Sequence, residues 1–353
     1  MCNIAGYAGN KQAAPILLEM LRKQQAFDGY CSTGIATVHE GKLYYRKFVG
    51  DVDALIKNTD ALNLPGTIGI AHSRSSGEPG KPLMWELAHP YISMDETMAL
   101  VSNGGSPRDQ YTPRRDAAVQ KLDDANYAFQ TEAFRPKSNW PMLKNGNTVG
   151  TGEVRVHLVD YYLKQGMSYT AAMAATAQDL YTDNVIVMLN QNAPDEIFAC
   201  RTVRPMEVLL AEGETYLSTC VYGFPKDVEG RHMSLPLFNA CSITRGGVTI
   251  SNDQIIGEIV DPVNPKAYAL GRKIILDHLR TGTKENPVAI QSVFDSLVPH
   301  FPELFPGKHT FNEQFRLAYD ILCQIMEEGE LKHAVADIPY FGGTRKRFVF
   351  WFE

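Results

Sequence analysis

MCNIAGYAG, residues 1–9, places a cysteine directly behind the initiator methionine and continues as a short apolar strand from Cys2 to Ala8. Removal of Met1 would leave a thiol and a free α-amine on the same residue. That amine has an unperturbed pKa of roughly 7.7–8.0, so at neutral pH a useful fraction of it is an unprotonated base beside a nucleophile. Methionine aminopeptidases act when the second residue is small, and cysteine qualifies. Alone, a cysteine at position 2 is more often a structural thiol, so its meaning depends on the residues that follow.

Outward from that strand, the first hundred residues read as strands and helices punctuated by glycine. Ile16, Leu17, Met20 and Leu21 recur at helical spacing within Ala13 to Ala26. Thr33 to Val38 and Lys42 to Val49 flank the short turn His39-Glu40-Gly41 and suit a hairpin. A small helix near Val52 to Leu62 precedes strands at Thr67 to Ser73 and Met98 to Ser102, each ending in a polar, glycine-bearing loop where chemistry tends to sit. Ser106 to Gly150 carries four prolines, a helix over Arg115 to Phe129 and the exit KNGNTVGTG, and reads as an inserted excursion. Helices over Glu153 to Gln165 and Tyr169 to Tyr181 then lead into strands at Val185 to Asn190, Ile197 to Arg201, Val208 to Ala211 and Tyr216 to Ser218. Two strand-rich blocks around paired helices predict an α+β, four-layer αββα sandwich over residues 1–260.

Five motifs give Cys2 its company: CNIAGYAG itself, GYCSTGIA at Gly29 to Ala36, IGIAHSRSSGEP at Ile68 to Pro79, AHPY at Ala88 to Tyr91, and VSNGG at Val101 to Gly105. In order and spacing they resemble the class II glutamine amidotransferases, N-terminal-nucleophile (Ntn) hydrolases, and in particular the glutaminase domain of glucosamine-6-phosphate synthase. The likeness is specific over the first 105 residues and architectural to about 250, where YTDNVIVML and ACRTVRPMEVLL are similar to the family's later sandwich strands. The resemblance implies that Cys2 is the nucleophile with its own α-amine as general base, acting through a water. It implies further that the Asn103 side chain and the Gly104 backbone N–H form the oxyanion hole, and that Arg74 clamps the glutamine α-carboxylate with its bidentate fork.

Departures from the family pattern fall on substrate recognition. Asp28 stands where the family has arginine and Cys31 where it has aspartate, which reverses the charge at that corner. The family's WATHG after the arginine is shortened to SSG, deleting a threonine, a histidine and a tryptophan, with Ser75 and Ser76 as partial substitutes. The family's DTEV aligns with Thr151, Gly152, Glu153 and Val154, so the amine-binding carboxylate is missing while Glu153 is adjacent. His72 counts with the substrate-binding set but reads best as a packed, hydrogen-bonded histidine behind the Arg74 loop, and His89 as a loop buttress. The other cysteines, at 31, 200, 220, 241 and 323, are most simply buried small hydrophobes.

Composition bounds the rest. A chain of 353 residues with 44% hydrophobic and 21% charged residues can bury a large core, and a length prior gives about two domains. A net charge of −6 argues against nucleic acid as the default ligand. No cysteine pair has metal-ligand spacing, so no metal and no cofactor is expected. The absence of a signal-like start or a long apolar run fits a cytoplasmic chain without a membrane span. From about Pro265 helices over Ala267 to Arg280, Pro287 to Val298 and Asn312 to Glu328 and a final strand, RFVFWF, predict a second, small winged-helix-like domain over 265–353. Its 11 Lys+Arg against 11 Asp+Glu give little support to DNA binding.

The expected function is a glutaminase that cleaves the glutamine side-chain amide through Cys2 and supplies ammonia to an acceptor on a separate synthase or acceptor subunit, docked through the C-terminal domain. Two alternatives stay open: an Ntn-type hydrolase of a non-glutamine amide, and a catalytically silent regulatory subunit with this fold. A homo-oligomer is also compatible with the sequence.

Overall fold

The computed structural model describes residues 2–75, 85–104, 112–133, 140–257, 264–306, 314–340 and 343–353. Ser76 and the rest of the shortened arginine loop, part of the 106–150 excursion, and Met1 lie outside the described residues.

Strand β1 (Asn3–Ala8) lies inside a seven-stranded antiparallel sheet. On one side of it follow β10 (Glu214–Ser218), β9 (Glu207–Ala211) and β11 (Arg231–Ser234); on the other, β4 (Ile68–Arg74), β2 (Ser32–His39) and β3 (Lys42–Phe48). The second sheet has six strands in the order β13 (Gly247–Gln254), β12 (Asn239–Thr244), β8 (Ile197–Arg201), β7 (Val185–Asn190), β6 (Met98–Asn103) and β5 (Tyr91–Ile92).

Side chains alternate across each strand, so each sheet divides its residues between two layers. Ile4 and Ala8 of β1 pack with Ile68 and Ile70 of β4 against Val101 of β6 and Val187 of β7, which closes the gap between the sheets. Ala5 and Tyr7 point the other way, onto Leu17 and Leu21 of α1 (Ala13–Gln24), with α2 (Val52–Asn58) beside it. The outer face of the second sheet is covered by α3 (Thr112–Asp124), α4 (Thr151–Lys164) and α5 (Tyr169–Asp179), whose Val119, Val154, Leu158 and Met173 share one core with Leu100 and Met188. The layering is therefore helix, sheet, sheet, helix, the predicted αββα sandwich.

The remaining described residues form a smaller unit. Its helices are α6 (Pro265–Leu279), α7 (Ile290–Leu297), the short α8 (Phe301–Leu304) and α9 (Gln314–Glu328). Its sheet has the order β14 (Val288–Ala289), β16 (Gly343–Trp351) and β15 (Lys332–Tyr340). Asn264 caps α6 by accepting from the Ala267 N–H, with proline at the first helical position, a favoured start. The helix expected over Pro287 to Val298 begins two residues of strand later, because Val288 pairs with Phe350. β11, β12, β13 and β15 carry no sequence expectation. β13 is an edge strand with mostly exposed or half-buried side chains, so it shows no apolar run to read. Likewise α3 stops at Asp124, five residues short of the expected Phe129.

Among the described residues no helix is long and apolar enough to cross a membrane, and no group of three or more His, Cys, Asp or Glu side chains could hold a metal ion.

Candidate active site

Cys2 immediately precedes β1, which hydrogen-bonds β4 with Asn3 opposite Ser73 and Ile4 opposite His72. Ile4 and His72 therefore share the inner face of their sheet, and the alternation turns Cys2 toward the same side. From the facing sheet, Asn103 at the end of β6 is buried and donates its Nδ2 to the Cys2 carbonyl at 2.8 Å. Gly104 follows with φ +139°, and a Cβ there would stand 2.3 Å from the Asp183 carbonyl oxygen, so only glycine fits. Two motifs a hundred residues apart thus meet across the sandwich.

Ser75, at the end of β4, lies against the nucleophile: its Oγ is 3.6 Å from Cys2 Sγ. Burial alone would push the Cys2 thiol up. His72 beside it outweighs that effect, with help from the Ser75 backbone N–H, and holds the thiol down at about 6. A thiolate is the nucleophilic form, so Cys2 is activated at neutral pH.

His72 is itself fixed from behind. Its Nε2 donates to the Ser102 carbonyl at 3.1 Å, and Nδ1 is buried with no hydrogen-bond partner among the described residues. Its ring lies 3.9 Å, centroid to centroid, from that of His89, whose Nε2 is 3.2 Å from Ser102 Oγ. Burial, with His72, Arg74, Arg155 and Lys47 beside it, holds His89 well below the ordinary histidine range and hence neutral. Arg155 Nη1 donates to the same Ser102 Oγ at 3.2 Å. A neutral His89 can then accept the Ser102 hydroxyl proton, giving one continuous donor order from Arg155 through Ser102 to His89. Sequence reasoning missed Arg155 and Ser102, although an arginine inside the apolar stripe of Val154, Val156, Leu158 and Val159 is a visible signal.

The sequence-derived set is brought together in part. Cys2, His72, Ser75 and Asn103 converge, with Gly104 next in the chain. Arg74 is half-buried and reaches the Leu87 carbonyl through Nη1 at 3.1 Å. Glu153, in the first turn of α4, accepts from the Gln130 N–H at 2.7 Å and from the Thr131 N–H and hydroxyl at 2.8 and 2.6 Å. Both of its oxygens are thereby engaged in tying the excursion to α4. Ser76 lies outside the described residues.

A sandwich that carries a cysteine before its first strand, opposed by an Asn-Gly pair, is the arrangement expected from the resemblance to N-terminal-nucleophile glutamine amidotransferases. Comparison with known proteins agrees. The chain is 29% identical over 359 residues to a glutamine–fructose-6-phosphate aminotransferase (isomerizing) of Escherichia coli, covering all of this chain and 52% of that protein. It is 27% identical over 226 residues to the Pyrococcus horikoshii protein of the same name, covering 64% of this chain and 33% of that one. The chain thus spans a third to a half of the curated relatives it matches. Among solved structures, the glutamine phosphoribosylpyrophosphate amidotransferase of B. subtilis superimposes with a TM-score of 0.57 at 16% identity, over 78% of this chain and 58% of that one, a likeness of fold. No family model matches the chain. In its relatives' names and in its fold the chain is similar to the class II glutamine amidotransferases.

Proposed function

We propose that this chain hydrolyses the side-chain amide of glutamine through Cys2 and supplies the ammonia to an acceptor site outside the sandwich. The observation that carries the reading is the meeting of an activated Cys2 with Asn103, whose amide lies 2.8 Å from the Cys2 carbonyl. The names of the relatives above support glutamine as the amide. Once Met1 is removed, the α-amine of Cys2 is the general base. The thiolate attacks the amide carbon, and the developing oxyanion is met by the Asn103 Nδ2 and the Gly104 N–H. The amine, protonated on thiol activation, returns its proton to the leaving nitrogen; ammonia departs, and water hydrolyses the glutamyl thioester to glutamate and free thiol. Arg74 holds the substrate α-carboxylate.

A winged-helix-like C-terminal domain is part of this reading. The order helix, strand, helices, two-stranded hairpin over 265–351, with β16 between β14 and β15, supports it. So is delivery to a separate synthase or acceptor subunit, since ammonia left in water is mostly ammonium and no longer nucleophilic.

Ammonia release from glutamine tests the core of the proposal. Wild type releases it, Cys2→Ala abolishes release, and Asn103→Ala lowers kcat by about 10²–10³. Intact mass of the active protein lacks Met1. Release from other amides but not from glutamine sinks the substrate assignment, and an inert wild type with an unreactive Cys2 favours a silent subunit.

A further inference from the structure

The charge reversal at Asp28 has a partner from far along the chain. Arg347 of β16 sets its Nη2 3.0 Å from Asp28 Oδ1 and donates Nη1 to the Phe27 carbonyl at 3.0 Å. One residue on, the Phe348 N–H donates to the Ala26 carbonyl at 2.7 Å. Two residues before Arg347, Arg345 donates its Nη1 to the carbonyl of Ser75. Both arginines are buried, with 8% and 6% of Arg345 and Arg347 exposed. The Ser75 carbonyl also accepts from Cys31 Sγ at 3.2 Å, and the Cys31 N–H donates to the Arg74 carbonyl at 3.0 Å.

From this geometry we infer that Arg345 is a positioning residue for the nucleophile: the C-terminal hairpin reaches over the sandwich and fixes Ser75, and Ser75 fixes Cys2. The inference rests on the glutaminase reading for its kinetic consequence but not for its chemical one. Ser75 meets Cys2 with two groups, its hydroxyl at 3.6 Å and its backbone N–H. The peptide that carries this N–H joins Ser75 to Arg74, whose carbonyl accepts from the Cys31 N–H. Across the Ser75 Cα, Arg345 and the Cys31 thiol hold the next carbonyl, that of Ser75, and the guanidinium supplies the stronger, charge-assisted bond. Releasing that bond lets the Ser75 N–H drift from the thiolate. A shift of about 1 Å in a positioning group is enough to lower turnover severalfold or more.

Both arginines line a cavity of about 470 Å3 together with Ala289, Ile290, Ile338 and Pro339. A side chain of Arg345's length can therefore be changed at its tip without meeting a packed wall. Arg345→Met keeps the aliphatic stem and removes the donors, whereas Arg345→Lys keeps a charged donor.

Two readouts test the inference on the full-length protein. The first is the pH dependence of Cys2 alkylation by iodoacetamide, followed by peptide mass mapping, which requires no substrate. The second is ammonia release from glutamine. For Arg345→Met the alkylation profile moves to higher pH by half a unit or more, and kcat falls about tenfold with KM within twofold. Arg345→Lys recovers most of both. A merely structural role predicts instead a lower melting temperature with the alkylation profile of the folded protein unchanged, and that result in Arg345→Met overturns the inference. Should Arg345→Met fail to fold, an alkylation profile of Arg345→Lys equal to that of Arg345→Ala overturns it equally. If wild type releases no ammonia while its alkylation profile still responds to Arg345→Met, the glutaminase reading fails and the positioning role stands.

Discussion

At Cys2 two opposed effects meet on one sulfur. Burial disfavours the thiolate, while His72 and the Ser75 N–H favour it, and the second group prevails, leaving the thiol at about 6. Cys2 therefore loses its proton as pH rises through about 6, and its reactivity rises over the same interval. His72→Gln keeps a donor toward the Ser102 carbonyl but removes the imidazole charge. In that variant the alkylation profile of Cys2 shifts toward the ordinary thiol range near about 8.5, and the rate at pH 6.5 drops about tenfold. Alkylation rates across pH 5–9 check this; an unshifted profile would show that His72 only packs behind the site. By contrast burial, with Cys241 nearby, pushes the Cys200 thiol well above the ordinary range, and Arg155 does not offset it.

Among the elements, α4 and the excursion before it depend on one carboxylate. Burial works against the ionised Glu153, but the His157 imidazole 3.7 Å away and hydrogen bonds from Thr131 and Gln130 hold it below the usual carboxylate range. Glu153→Gln places an NH₂ group among three donors and leaves at least one contact repulsive, at a cost of about 1–3 kcal/mol. A carboxylate with a depressed folded pKa stabilises the fold fully above its unfolded value of about 4.3 and loses that contribution as pH falls through the folded one. The difference in urea midpoint between wild type and Glu153→Gln is thus largest at neutral pH and narrows in acid.

This element also shows what the sequence made legible. The pairing of Cys2 with Asn103 was legible only through the resemblance of five short motifs to a known family, and strand alternation added that each sits at a strand end. The task of Glu153 was not legible, since its partners Gln130 and Thr131 belong to a stretch with no periodicity. Still less legible was Arg345, which meets Ser75 across 270 residues.

For the whole molecule the decisive contact is the one between the sandwich and the C-terminal unit. Phe348 and Phe350 of RFVFWF are buried in a small core that also includes residues of the sandwich. Phe27 stacks on Tyr319 with ring centroids 5.1 Å apart and meets Phe348 edge-on at 4.8 Å, with Tyr222 a further 5.7 Å neighbour of the same ring. Ala26, Phe27 and Cys220 are buried in one cluster with Ile290, Phe294 and Leu322. The face of the unit that presents β16 is therefore spent on its own chain, and any partner must dock elsewhere on it. Deleting 264–353 exposes Phe27 and Tyr222 as an apolar patch beside the site and removes the bonds to Ser75, Asp28 and Ala26. The truncated chain is then expected to self-associate on size-exclusion chromatography and to lose ammonia release, rather than to persist as an active core. Phe348→Ala separates packing from mere presence of the unit: removing a buried aromatic costs about 3–5 kcal/mol. A urea titration of that variant followed by both tryptophan fluorescence and Cys2 alkylation should show the two signals lost together, since the hairpin and the nucleophile share Ser75. A monomeric, fully active truncated sandwich would mean that the two units, though in contact, do not depend on each other.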